Sequence, residues 1–251
     1  MSSRNSVVKV DAMGLHYRQL NARLRELVGE GVRHIEISNV YGQRYIGTDL
    51  NAPVLIDVYG TPGNDLGAFM DGPTIVVHGN AQDGCGNTMN EGEIVVHGHA
   101  GDILGLSMRG GKILVKDDVG YRVGIHMKEY KEKVPQVVIG GTAQDFLGEY
   151  MAGGTLVVLG LNLQPGERHK ANFIGTGMHG GAIYLRGEVA PHQLGKEVGV
   201  AQPNEVEKAK LAALVTEFAQ HFGMDPAPIL SAPFSKLYPL YLRPYGRLYT
   251  P

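Results

Sequence analysis

Cysteine is nearly absent from this chain: Cys85 stands alone among 251 residues. That excludes an intramolecular disulfide framework. It also excludes a cysteine-ligated iron–sulfur cluster held within the chain. Long apolar runs are missing, so there is no candidate for a helical membrane span. The first residues, Met1 to Asp11, lack an apolar signal core, and the expected compartment is the cytoplasm. Neither sign of charge is in excess: 23 Lys and Arg face 25 Asp and Glu, for a net charge of −2. A basic footprint for nucleic acid is therefore lacking.

Glycine is what the chain has in surplus, at 36 residues. It recurs on a fixed pitch with methionine. Met70, Met89, Met108 and Met127 follow one another at equal spacing, and Gly67, Gly86, Gly105 and Gly124 each stand three residues before. Two insertions later the frame returns as Gly148/Met151 and Gly175/Met178. A period near 20 residues signals stacked repeats. After the marker methionines come short β-branched runs bounded by glycine: Ile75–Val77, Ile94–Val96, Ile113–Val115, Val137–Ile139, Leu156–Val158 and Ile183–Leu185. Ile56–Val58 precedes them, and Ile35–Ile37 is a weaker first member. Each reads as a strand.

One such unit cannot bury its apolar side chains alone; stacked copies can. The fold expected is all-β, a single-stranded right-handed parallel β-helix of about seven coils. At about 4.8 Å per rung it would be roughly 30–35 Å long. Glycine would supply the corners, and the methionines would fill the interior. Residues 1–34 form an N-terminal segment with a capping helix around Leu15–Val28, residues 35–190 the repeat domain, and residues 191–251 a C-terminal helix with a Pro/Tyr-rich tail. That second helix runs from Glu205 to Phe222, with Asn204 as N-cap and Gly223 beyond its end. Six prolines from Pro226 to Pro251 argue against helix or regular strand in the tail.

Strand alternation places Ile75 and Val77 inward and Val76 and His78 outward. The same phase gives an outward row of Val76, Val95, Leu114, Val138, Val157 and Tyr184. A solvated face would be polar there. This row is covered either by the chain's own helices or by a partner. With Tyr238, Tyr241 and Tyr245 of the tail, it makes up the candidate interface. The polar insertions Lys128–Pro135 and Leu161–Phe173 are further interface candidates.

Other chemistry fits less well. Gly175-Thr-Gly177-Met-His-Gly180 matches G-x-G-x-x-G, with Glu197 beyond it, but a strand follows where a dinucleotide site needs a helix. His78 and His97 stack in register without a third ligand. Asp83, Asp102 and Asp145 are too sparse for a calcium roll and read as turn caps that bond their own backbone. Cys85 has no paired histidine and reads as a buried thiol.

The coil Gly141-Thr-Ala-Gln-Asp145-Phe-Leu-Gly148-Glu-Tyr-Met151-Ala-Gly153-Gly154 resembles the GXGXG domain of glutamate synthase, its C-terminal β-helix. The resemblance covers about Ile35 to Gly187, and the chain looks like a free-standing version. A related β-helix forms one of the subunits of formylmethanofuran dehydrogenase, and another occurs in N-methylglutamate-synthase-like assemblies. In glutamate synthase the β-helix is a spacer between an amidotransferase and an FMN and iron–sulfur synthase domain. The resemblance therefore implies a non-catalytic scaffold subunit, with no catalytic, cofactor-binding or metal residue of its own. FMN and iron–sulfur are expected on partner subunits: an FMN subunit and a class II glutamine amidotransferase. The alternatives are the formylmethanofuran dehydrogenase setting and a stand-alone carbohydrate-active β-helix.

Overall fold

A computed structural model describes residues 6–164 and 166–241. Eleven strands form one sheet in the order β1-β2-β3-β4-β5-β6-β7-β8-β9-β11-β10. From β1 (Val8–Asp11) through β2 (His34–Tyr41), β3 (Leu55–Thr61), β4 (Asp71–Val77), β5 (Glu91–Val96), β6 (Lys112–Val115), β7 (Gln136–Ile139), β8 (Ala152–Val158) and β9 (Gly180–Arg186), every neighbouring pair is parallel. The chain is a parallel β-solenoid. Ile56, Ile75, Ile94, Ile113, Val137, Leu156 and Ile183 lie in register across seven successive strands. All are fully buried.

The two ends are closed differently. Between β1 and β2 the chain makes helix α1 (Tyr17–Gly29) in place of a coil. Leu20, Leu24 and Leu27 of α1 join the same core as Val10 and Ile35, so the helix plugs the first rung. Strand β1 was not visible in the glycine frame, because its Val8/Val10 alternation has no marker residue. At the far end β11 (Phe234–Pro239) pairs antiparallel with β9, and β10 (Val198–Ala201) pairs antiparallel with β11.

The expectation that the tail holds no regular element is corrected here. Pro233 stands just before β11 and Pro239 ends it, so the missing N–H groups fall at the strand's limits. Pro226 opens the short helix α3 (Pro226–Leu230), where a missing N–H costs nothing.

Helix α2 (Glu205–Phe222) has the expected caps. Asn204 accepts from the Glu207 N–H, Glu207 reaches back to the Asn204 N–H, and Gly223 ends the helix at φ +65°. The helix lies on the outer sheet face. Leu211, Leu214, Val215 and Phe218 form a second core with Val95, Leu114, Val138, Val157 and Tyr184. The apolar outer row is thus covered by the chain itself over β5 to β9. These five residues are not available to a partner, and the row as a candidate interface is corrected to an internal one. Val76, on β4, is partly buried at the edge of this second core. Polar ties hold the helix at each end: Lys236 pairs with Glu207, Lys112 with Glu217, and His221 Nε2 lies 3.2 Å from Glu93 Oε1.

Candidate functional site

The repeated turn is the most distinctive local structure in the molecule. In each coil three alternating residues hold positive φ. For one coil these are Gly84 (+70°), Gly86 (+72°) and Thr88 (+52°); for the next, Ile103 (+51°), Gly105 (+68°) and Ser107 (+53°). The methionine that follows closes the turn: Met89 N–H donates to Gly86 O at 3.1 Å and Met108 N–H to Gly105 O at 3.1 Å. Between the first two positive-φ residues sits an inward side chain. Ile46, Leu66, Cys85, Leu104, Val123, Leu147 and Ile174 form this ladder, and all are buried. Gly47 and Leu50 complete one more turn of the same kind. Leucine in place of methionine hid it from the repeat pattern.

The three positions differ in what they tolerate. The central one is glycine in every coil. A Cβ there would stand 2.6 Å from Ile75 Cδ1 at Gly47, 2.3 Å from Ile113 Cδ1 at Gly86 and 2.5 Å from Ile183 Cδ1 at Gly148. The outer two positions carry non-glycine residues in all but two cases, Gly84 and Gly177, at a strain of about 1–3 kcal/mol each. They line up into two ridges. One is Tyr45, Asp65, Gly84, Ile103, Arg122, Phe146, Phe173; the other is Asp49, Phe69, Thr88, Ser107, His126, Tyr150, Gly177. The false dinucleotide motif is explained by this geometry. Gly175 is a central glycine, and a Cβ on Gly177 would lie 2.5 Å from the Tyr150 ring. Glu197 accepts from the Gly177 N–H at 3.3 Å.

Cys85, in the inward ladder, is fully buried, and burial pushes its thiol up to about 12. It does not fit an iron–sulfur or catalytic role: the thiolate is the ligand and nucleophile, and this site disfavours it. The turn aspartates bond across coils. Asp83 Oδ1 accepts from the Asp102 N–H and Asp102 Oδ1 from the Tyr121 N–H, both at 2.9 Å, and Asp145 Oδ1 from the Asn172 N–H at 2.8 Å. The expectation that they cap their own backbone is corrected: each caps the next coil.

The histidine row is tied to a carboxylate. Asp57 holds His34 Nε2 and His78 Nε2, each at 2.7 Å. Burial raises the Asp57 pKa, but the hydrogen bonds from His78 and His34 outweigh it and hold the carboxyl below its usual range. His78 stacks between Tyr59 (4.3 Å) and His97 (5.5 Å), and His97 meets the edge of Phe222. The row is a stacked ladder that runs under the end of α2.

Among the described residues, Glu93, Glu217 and His221 bring ligand atoms within 4.8 Å of one another. The Lys112 ammonium already rests on the Glu217 carboxylate, so this cluster holds its own cation. Beside it an open groove of about 590 Å³ runs between the sheet and the insertion, lined by Glu91, Glu93, Lys112, Lys133 and Glu217. A smaller groove of about 360 Å³ lies among His99, Lys116, Asp118, Asn162 and Met224. Both insertions are partly tied down. Lys133 reaches back to Glu91 at 3.0 Å and Asp71 at 3.4 Å. His169 is buried, with Nε2 against the Arg186 carbonyl at 2.9 Å. Of the tail candidates, Tyr238 is half-buried under Lys236, Tyr241 is 72% exposed, and Tyr245 lies outside the described residues.

Comparisons with known proteins follow the same lines. The GXGXG motif family matches residues 30–243. An uncharacterized protein of Methanocaldococcus jannaschii is 48% identical over 97% of each chain. Among solved structures, a chain of the formyltransferase/hydrolase complex of Methylorubrum extorquens, crystallised with methylofuran, superposes with a TM-score of 0.63. That match covers 92% of this chain and 93% of the other, at 20% identity, a level that speaks to fold alone. No described helix is long and apolar enough to cross a membrane. With its alternating positive-φ turn repeated through the solenoid and the family match spanning most of its length, this chain belongs to the GXGXG motif family.

Proposed function

We propose that this chain is a non-catalytic structural subunit that holds the catalytic subunits of a multi-subunit enzyme in fixed relation. The observation that carries the reading is the repeat itself: its inward positions are filled by hydrocarbon and methionine, its turn carboxylates by backbone N–H groups, and its only thiol is inert. The chemistry would then belong to partner subunits, with this rigid prism setting the distance between their sites.

The nearly full-length match to a chain of a formyltransferase/hydrolase complex favours a formylmethanofuran-type assembly as the setting. The second reading is a glutamate-synthase-type assembly, with an amidotransferase and an FMN and iron–sulfur subunit. It is supported by the coil Gly141 to Gly154, which follows the pattern of the glutamate synthase domain. Purification of the tagged chain from its native host separates the two. A partner with formyl-transfer or hydrolase activity, or one containing molybdenum or tungsten, supports the first setting, and an FMN/iron–sulfur partner the second. Stoichiometric flavin in the isolated chain, or an intrinsic lyase or glutaminase activity, would overturn the scaffold reading.

A further inference from the structure

The two ridges are not uniform along the solenoid. Exposed aromatics stand at positive φ on the first two coils as well (Tyr45, Phe69), but only over the later coils do such side chains meet from coil to coil: exposed Arg122 (+58°), His126 (+56°), Tyr150 (+52°) and Phe173 (+56°), with half-buried Phe146 (+64°). Glycine or asparagine suits such positions far better than Phe or Tyr. Solvent exposure gives these rings no core to fill: Phe173 is 52% and Tyr150 47% exposed. They nonetheless form an ordered surface. Phe146 and Phe173 stack at 5.0 Å, His126 and Tyr150 stack at 5.4 Å, and the Arg122 guanidinium lies 5.0 Å over Phe146. Beneath them Glu149 is nine-tenths buried, and its Oε2 has no hydrogen-bond partner, only the Arg122 guanidinium at 3.0 Å. Backbone strain at exposed aromatic residues, repeated in one patch, marks a surface kept for contact rather than stability. Tyrosine and arginine in this setting are the residue types that anchor protein interfaces.

Charge indicates the kind of partner. Carboxylates beside the patch are turned onto backbone N–H groups: Asp102 to Tyr121, Asp145 to Asn172, and Glu129 to Gly154. The cations are not so engaged. Arg109 and Lys128 are exposed and lie one coil apart in register, each N–H bonded to the preceding coil's methionine carbonyl. Neither forms an ion pair among the described residues. The exposed edge of Arg122 adds to them.

We propose that the ridge built from Arg122, His126, Phe146, Tyr150 and Phe173, flanked by Arg109 and Lys128, docks a partner subunit through a segment carrying carboxylates beside apolar side chains. This rests on the scaffold reading and names which face does the holding. The test purifies the tagged full-length chain from its native host with the subunits bound to it in stoichiometric amount, and repeats this with F173N/Y150N, with R109E/K128E, and with V206N, a control on the exposed face of α2. Both ridge variants should lose at least about tenfold of the bound subunit, while V206N keeps it. The asparagine variant relieves strain, so its thermal midpoint should equal or exceed that of the parent chain. Carbodiimide coupling of the intact complex should link Lys128 to an Asp or Glu of that subunit. A complex that survives both ridge variants, or one in which Lys128 couples to no partner carboxylate, overturns the docking surface alone. A parent chain that purifies by itself, or only as copies of itself, overturns the scaffold reading and the docking surface together.

Discussion

Replacing Gly86 by alanine separates backbone strain from steric conflict. Gly86 has φ +72°, and a Cβ on it would lie 2.3 Å from Ile113 Cδ1 and 3.4 Å from Cγ1. Positive φ costs an alanine about 1–2 kcal/mol. Inserting a methyl group into a filled core costs about 1–3 kcal/mol more. Thr88, two residues on, already tolerates φ +52°. Strain alone therefore does not keep glycine at position 86; the clash does. I113V removes Cδ1, at a cost of about 0.5–1.5 kcal/mol by itself. In the double variant the overlap with Cδ1 is gone and mainly the strain and the lost methyl remain, about 1.5–3.5 kcal/mol. G86A alone should cost about 2–5 kcal/mol. The coupling between the two sites should then be favourable by about 1–3 kcal/mol, well beyond the ~0.5 kcal/mol scatter of independent sites. Urea unfolding of the parent, both singles and the double measures it. Strict additivity, or a G86A chain as stable as the parent, would refute the reasoning.

Met89→Ala should cost about 2–5 kcal/mol, because Met89 is fully buried in the ladder; thermal or urea unfolding checks this. Val157→Glu places a charge under α2, so it should lower the melting temperature sharply and expose α2 to limited proteolysis, rather than weaken partner binding in a still-folded chain. Cys85 should fail to react with Ellman's reagent at pH 8 in the native state and react fully once unfolded, since its thiol is pushed up to about 12. Burial holds the His169 pKa below its ordinary 6.5, with the Arg186 charge also lowering it and the hydrogen bond to the Arg186 carbonyl opposing. On acidification the unfolded chain takes up that proton first, so stability falls below about pH 6.5. H169Q should flatten that part of the pH dependence of the urea midpoint.

Much of this fold is readable in the sequence because a solenoid converts period into position. The spacing of Gly67, Gly86, Gly105 and Gly124 gave the coils, and the β-branched runs gave the strands. Asn204 and Gly223 marked the ends of α2. What stayed hidden was whatever lacked the marker. The turn at Gly47 carries Leu50 in the place that methionine takes in later coils, and β1 has only two valines. Strand β11 was obscured because prolines near it suggested irregular chain, although they sit at its limits. The covered outer row was legible as covered, but its cover was not. Only the placement of Leu211, Leu214, Val215 and Phe218 over Val95 to Tyr184 resolves it. The aromatic ridge left no periodic trace either, because its positions are defined by backbone conformation and not by residue type.

The in-register pairing of every rung has a consequence for how such a chain can change in length. The insertions Lys128–Pro135 and Leu161–Phe173 bulge outward, yet Gln136 still pairs with Lys112 and Ile183 with Leu156. Extra residues within a coil therefore leave the separation of the two ends untouched. Only adding or removing a whole coil alters it, in steps of about 4.8 Å. The molecule behaves as a ruler with fixed graduations, whose length changes only by the gain or loss of an entire graduation.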